Sequence, residues 1–242
     1  MAHHVRKLLR HWPQSLLPSL CALCGGRCGG AVCAPCRAQF VTPTPRCPRC
    51  ANPAGALDAQ RECAACLAGR PAFDATLAGA DYLAPLDGLV LQLKFAGALA
   101  LAPWFAEVVR DSVLAAPGFV LPDVLCPVPL GPRRLVERGF NQALEMARPL
   151  ARHLGVPLRA RLAIRAHDTR AQSGVAPNQR RRNLAGAFAV APESLGLVRG
   201  RHIGLVDDVM TSGHTLGELA AAFKRAGAAR VSNLVFARTP PH

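Results

Sequence analysis

The sequence predicts an α/β protein with a mainly parallel sheet, preceded by a small cysteine-rich unit. Three observations carry that reading. From about residue 71 onward, apolar and β-branched runs alternate with stretches of helical period, the pattern of strands joined by crossover helices. Between residues 21 and 66, eight of the ten cysteines fall into four Cys-x-x-Cys pairs. Near the far end, HIGLVDDVMTSGHTL (His202 to Leu216) reads as a strand, a turn and a helix start. The chain therefore divides into a helical segment (1–20), the cysteine unit (21–70) and an α/β domain (71–242), for which 242 residues give room.

In the first segment Val5, Leu8, Leu9, Trp12 and Leu16 share a helical face, Arg6, Lys7 and Arg10 lie opposite, and Pro13 kinks or ends the helix. A continuous hydrophobic block and a small-residue cleavage site are missing, and no apolar run is long enough to span a bilayer. The expectation is a cytoplasmic protein without membrane insertion. In that setting the cysteine pairs favour metal over disulfides. Two thiolates on one tight knuckle, joined by a second knuckle, make a tetrahedral Zn site. The simplest pairing is sequential, with Cys21, Cys24, Cys33 and Cys36 on one ion and Cys47, Cys50, Cys63 and Cys66 on another. An interleaved cross-brace is the alternative. Large apolar residues are few here, so folding needs the metal. Cys28 is left over in a loop, and Cys126 reads as a small core residue.

The α/β domain opens with a strand near Thr76–Ala80 and a helix from about Pro85 to Phe95, with Leu86, Leu89, Val90 and Leu93 as its apolar face. A second helix covers about Leu99–Leu114, and DVLCPV (Asp123–Val128) is a buried strand. After PLGPRRLVERGFNQ comes a helix from Asn141 to Leu154, stopped by Gly155, and then a strand over Val156–Ile164. Between Arg165 and Phe188 the periodicity vanishes, and Arg165, Arg170, Arg180, Arg181 and Arg182 face one acid, Asp168. A strand at Ala187–Val190 and a turn through Pro192–Gly200 lead to the strand Ile203–Val206, with Asp207 and Asp208 following it. Leu216, Leu219, Phe223 and Ala226 share the face of the next helix, Gly227 stops it, and Arg230–Ala237 is the last strand.

Ligands of parallel sheets bind at the carboxyl ends of strands, where Asp207 and Asp208 fall. Hydroxyls and free amides at the start of the following helix form an anion site. Two acids beside it suit vicinal hydroxyls, and the combination describes a ribose 5-phosphate. The formal net charge of +14 is nearly all arginine, since Lys7, Lys94 and Lys224 are the only lysines. Such an excess points to phosphate-bearing partners, a diphosphate or a nucleic acid.

GLVDDVMTSGHT resembles the phosphoribosyl diphosphate (PRPP) motif of type I phosphoribosyltransferases: apolar residues, two acids, then Thr-Ser/Thr-Gly-x-Thr. That resemblance implies a sheet of type I phosphoribosyltransferase type. Asp207 and Asp208 would hold the ribose hydroxyls, and Thr211, Ser212, Gly213, His214 and Thr215 the 5′-phosphate. The likeness extends along the chain. The cysteine pairs, DYLAPLDGLVLQLKF, PVPLGPRRLVERGFNQA, TRAQSGVAPNQRRRNLAGAF and the PRPP motif, in that order, resemble the ComF family, a double zinc ribbon ahead of a phosphoribosyltransferase-like domain. It implies Arg133 and Arg134 as diphosphate contacts, against the plainer reading of a solvated pair at a helix start. It implies a loop that closes over the site, carrying Arg170, Gln172, Arg180 and Asn183. Lys94, Arg138, Asn141 and Gln142 are further family-motif positions, the last three orienting a ligand or capping a helix.

The implied chemistry is displacement at ribose C1, with diphosphate leaving in the company of Mg²⁺ and arginine charge. The protein's part is positioning and electrostatic stabilisation. His214, inside the phosphate loop, is not expected to move protons. No acceptor pocket, catalytic triad or nucleophilic cysteine is legible. Two functions follow: a PRPP-dependent pentosyl transferase of unknown acceptor, and a non-catalytic single-stranded-DNA-binding competence protein that retains a PRPP or phosphate site. The family resemblance implies uptake of transforming DNA, with single-stranded DNA and competence proteins such as a DNA-uptake helicase as partners. Stacking aromatics are sparse for a strand binder, with Tyr82 and two tryptophans.

Overall fold

The computed structural model describes residues 19–58, 61–165 and 186–241. The helix expected before residue 19, and Arg170, Gln172, Arg180 and Asn183, lie outside the described residues. The described elements begin with a small hairpin, β1 (Ser19–Leu20) and β2 (Arg27–Cys28), and two short helices, α1 (Ala34–Phe40) and α2 (Ala64–Gly69). Then follow β3 (Ala75–Asp81), α3 (Leu86–Phe95), α4 (Leu101–Leu114), β4 (Val124–Pro127), α5 (Pro132–Arg138), α6 (Gln142–Leu154), β5 (Ala163–Arg165), β6 (Phe188–Val190), α7 (Leu195–Val198), β7 (His202–Met210), α8 (His214–Arg225) and β8 (Arg230–Arg238).

The main sheet is parallel throughout, in the order β3-β8-β7-β4. Its strands read as near-continuous apolar runs because both faces are covered. Side-chain alternation along β7 and β8 divides the core. Val206, Leu234 and Phe236 pack with α3, α4 and α6, while Ile203, Leu205, Val231 and Val235 pack with α8 and the second cysteine segment. On the first face Phe105 of α4 stacks on Phe236 with ring centroids 3.8 Å apart and Trp104 tilted beside both. Gly204 is explained by packing: a Cβ there would come within 2.6 Å of Leu125 Cδ2 and of Pro122 Cγ.

Besides the short helix α7 inside the stretch read as a turn through Pro192–Gly200, three elements differ from the sequence reading. The strand β7 continues through Asp207 and Asp208 to Met210, so the two acids sit inside its carboxyl-terminal half and not after it. The strand expected over Val156–Ile164 shrinks to β5, which pairs antiparallel with β6 away from the main sheet. Pro157 has no amide to donate, and beside β4 only a single bridge forms, between Leu125 and Leu158. The third difference is α5, a helix within PLGPRRLVERGFNQ. Its signals were present: Pro132 in the first turn, and Gly139 after the end with φ of +78°.

The second cysteine segment is fastened to the sheet. Pro48 accepts from the amide of Thr76 at 3.1 Å. Arg46 pairs with Asp81 at 2.8 Å. Arg49 donates to the carbonyl of Phe73 at 2.9 Å. The last residue of β8, Arg238, is only 6 % exposed. Its Nε donates to the carbonyl of Cys50 at 2.9 Å, and its Nη1 to the carbonyls of Met210 (3.0 Å), Thr211 and Thr239 (2.6 Å). One buried guanidinium thus joins the second cysteine segment to the turn that follows β7. Arg238→Met, which keeps the stem but strips these carbonyls of their donor, is expected to lower stability by about 3 kcal/mol; chemical denaturation of metal-loaded protein measures it, and a loss near zero contradicts the clamp.

Candidate functional site

The site forms where β7 ends. Successive strand residues leave by opposite faces. Asp208, 2 % exposed, turns to the α3 side, where its Oδ2 forms an ion pair with Lys94 Nζ at 2.7 Å. The contact is an ionic approach and not a directed hydrogen bond at that oxygen. Asp207 keeps some solvent exposure, although packed atoms surround most of its carboxyl, and its Oδ1 accepts the amide of Asp208 at 2.9 Å. Desolvation first, and the Asp208 charge second, push the Asp207 carboxyl well above the usual carboxylate range, with Lys94 pulling the other way. The pair is therefore short of partners, a state that hydroxyl donors or a cation would relieve.

The turn after β7 supplies the anion-binding half. Gly213 stands before α8 with φ of +79° and gives the helix no side-chain cap. The N-cap therefore offers the first-turn amides no side-chain acceptor, and the helix dipole stands behind them. A Cβ at Gly213 would meet Met210 Cε at 2.6 Å and lie 3.8 Å from the Phe73 ring, in a backbone region that side chains avoid. Thr211 and Ser212 are exposed, while His214 and Thr215 are partly buried. The Ser212 hydroxyl and His214 Nδ1 are 3.0 Å apart.

The motif residues from α3, α5 and α6 converge beside the acids. Arg138 donates to Gln142 Oε1 at 2.6 Å, and its guanidinium lies over the Phe95 ring, 5.3 Å from the centroid. Burial lowers the Arg138 pKa from the ordinary arginine value; Asp208 and, less strongly, Asp207 counteract this, which sets Arg138 within electrostatic reach of both. Arg134 repels Arg138 and shares its helix face, four residues back. Arg133 belongs to a different face and pairs with Glu137 at 2.7 Å in solvent. Asn141 is the N-cap of α6: its Oδ1 accepts from Ala143 and Leu144 at 2.9 and 3.3 Å, and its Nδ2 donates to the Val128 carbonyl.

The cysteines group as two fours, Cys21/Cys24/Cys33/Cys36 and Cys47/Cys50/Cys63/Cys66, with the sulfurs of each set within 4.8 Å of one another. Sγ–Sγ separations are 3.8 Å for Cys24–Cys33, 3.6 Å for Cys50–Cys63 and 4.0 Å for Cys47–Cys66. A tetrahedron with Zn–S bonds of about 2.3 Å has edges of about 3.8 Å. The sites therefore fit a tetrahedral thiolate metal. In each set a backbone amide donates to the first sulfur, from Cys33 to Cys21 at 3.4 Å and from Cys63 to Cys47 at 3.3 Å. Burial works against the Cys21 thiolate, but the amides of Cys33, Cys24 and Leu23, with the Cys33 thiol, outweigh it and bring the thiol down to about 6. Its neighbour Cys36 is raised to about 12, chiefly by the adjoining Cys33 thiol and by burial. Four sulfurs so close cannot all ionise without a cation among them. Cys126 lies in β4, buried in the core.

Sequence reasoning missed Arg238, Phe73 and Met210. All three support the turn; Met210 is an apolar letter inside the PRPP motif, whereas Phe73 and Arg238 lie outside every motif, Arg238 one residue beyond the strand read as Arg230–Ala237. The Asp207 environment gives a direct test. Folding raises its pKa, so the folded state holds the proton more tightly than the unfolded chain, and ionised Asp207 costs stability as the pH climbs above about 4. Asp207→Asn is therefore expected to melt above the parent at pH 8, the gap closing as the pH falls toward about 4; thermal denaturation across that range checks it, and a gap that widens in acid contradicts it.

A phosphoribosyl transferase domain model matches residues 141–241. DNA utilization protein YhgH of Escherichia coli K12 is 35% identical over 231 residues, which cover 92% of this chain and 98% of that protein. Competence protein F of Haemophilus influenzae is 31% identical over 200 residues, 81% of this chain and 85% of that protein. Among solved structures, the glutamine PRPP amidotransferase of B. subtilis is 17% identical and aligns with 56% of this chain and 26% of its own, with a TM-score of 0.37. Identity of this level over almost the full length of the first two decides kinship: the chain belongs to the ComF family, that of DNA utilization protein YhgH and competence protein F, and carries a phosphoribosyl transferase domain.

Proposed function

We propose that this protein binds PRPP, or a ribose phosphate derived from it, and serves the use of incoming DNA. The observation that carries the reading is the uncapped start of α8 directly behind Asp207 and Asp208 at the carboxyl end of a central parallel strand. The 5′-phosphate would rest on the amides and hydroxyls of residues 211–215. Asp207 would accept a ribose hydroxyl, relieving its repulsion with Asp208. For Asp208 to accept the other, Lys94 must share or release it. Arg134 and Arg138 supply positive charge on the side where the diphosphate would leave. Mg²⁺ would arrive with the diphosphate and neutralise its charge, and the carboxylate oxygens of the acid pair are donors of the type it takes. The protein's own contribution would be orientation and electrostatic stabilisation of the departing diphosphate.

The link to DNA comes from the names of the relatives, DNA utilization protein YhgH and competence protein F. The net charge of +14 supports it. The two Cys₄ sets are read as structural zinc sites. No described helix is long and apolar enough to cross a membrane. Whether the bound donor reacts, and with which acceptor, separates the pentosyl transferase from a binder that keeps the site.

Two measurements test these readings. Titration of Mg²⁺–PRPP into the purified protein is expected to show saturable binding, weakened at least about tenfold in Asp207→Asn/Asp208→Asn, the loss of roughly one charge-assisted hydrogen bond or more; equal affinity in the variant removes the site. Diphosphate release on adding cell extract then tells transfer from binding alone. Metal analysis is expected to return about two zinc ions per chain, falling by one in Cys21→Ser/Cys24→Ser and in Cys47→Ser/Cys50→Ser.

A further inference from the structure

Phe95 departs from the habit of its own helix. Four residues of α3 are buried, Leu86, Leu89, Val90 and Leu93, yet its last residue stands 74 % exposed. A single exposed apolar side chain is ordinary. What sets Phe95 apart is its company. The Arg138 guanidinium covers one face of the ring at 5.3 Å, and buried Gln142 holds that guanidinium at 2.6 Å. The residue before it, Lys94, touches Asp208 at 2.7 Å. The ring and the guanidinium are therefore fixed at the rim of the acid pair, and the exposure of Phe95 leaves the rest of the ring open.

A phosphate can use the guanidinium but does not need a flat apolar surface beside it. A purine or pyrimidine ring does: bases stack on aromatic side chains, and arginine adds a cation–π contribution. The placement suits one as well. A ribose with its 5′-phosphate at α8 and its hydroxyls at Asp207 and Asp208 carries its C1 substituent away from the phosphate. The end of α3, which reaches Asp208 from outside the phosphate turn, is the neighbouring surface. We propose that Phe95 and Arg138 form a nucleobase-stacking platform adjoining the ribose site. This rests on the ribose-phosphate reading above. The base belongs to a free mononucleotide or to a single DNA strand, and both offer the same stacking chemistry.

Calorimetry on the zinc-loaded full chain tests it with three probes: ribose 5-phosphate, GMP and an oligothymidylate. The variants are Phe95→Leu, which keeps the helix and the bulk, and Phe95→Tyr, which keeps the ring. Phe95→Leu is expected to weaken GMP, the oligonucleotide or both by about tenfold, the worth of one stacked base. Phe95→Tyr should restore that affinity, and ribose 5-phosphate, which has no base, should bind alike in all three proteins. Loss confined to GMP assigns the platform to mononucleotides, and loss confined to the oligonucleotide assigns it to a strand. If Phe95→Leu binds both as the parent does while ribose 5-phosphate still binds, the platform is refuted and the ribose site stands. If ribose 5-phosphate fails to bind the parent, both readings fall together.

Discussion

Burying a guanidinium is costly unless its donors find acceptors, and Arg238 directs its Nε and Nη1 to four main-chain carbonyls. These carbonyls come from a cysteine knuckle, from the end of the central strand and from the residue after β8. None of the three segments is near another in sequence, and each needs the others to bury its polar backbone. The charge has a second role. A tetrathiolate zinc site, filled as proposed, carries a charge of about −2, and Arg238 and Arg46 stand beside the second set of cysteines. Cysteine set, guanidinium and turn are thus electrostatic neighbours. The turn's own freedom is narrow, because Gly213 has Met210 on one side and Phe73 on the other, and Phe73 is in turn held by Arg49 from the same knuckle.

Much of this was legible in the sequence, for physical reasons that can be named. Strands buried on both faces announce themselves as apolar runs, and Leu86, Leu89, Val90 and Leu93 announce a helix by their spacing. The cysteine pairs state their own chemistry, because four pairs of sulfurs, each with two residues between them, have few other uses. What the sequence hid are matters of tertiary position. Nothing local tells that β7 runs on through two carboxylates, since aspartate is a poor strand residue. Nothing local tells that Lys94, over a hundred residues earlier, neutralises one of them. The helix α5 was readable from Pro132 and Gly139, but none of its residues is buried and no apolar stripe marked it. Arg133 and Arg134 look equivalent as letters. On the helix one pairs with Glu137 in solvent and the other joins the face of Arg138.

The acid pair shows how a fold holds a site under tension. Asp207 and Asp208 repel each other in a poorly hydrated place. Lys94 settles only part of the debt, from a partly exposed position at a helix end. An arrangement of that kind is stable enough to persist and unsatisfied enough to prefer an occupant. A ribose bound as proposed would make entry an exchange of partners, in which Lys94 yields some of its hold on Asp208. Lys94, Arg138 and Gln142 lie on three different helices, α3, α5 and α6; packing of α3 and α6 against one face of the sheet places the first and last, and the hydrogen bond to Gln142 ties Arg138 to α6.

The contact between Arg238 and Cys50 spans 188 positions of the chain. As the polypeptide leaves the ribosome, the second knuckle emerges and can take its metal long before the strand that carries its guanidinium exists. Until then the turn between β7 and α8 has no clamp, and the nascent chain cannot hold a phosphate in the finished geometry. On the readings proposed above, the metal site can therefore be complete before the anion site is. A chain still short of β8 would then lack the finished turn, whatever its metal content.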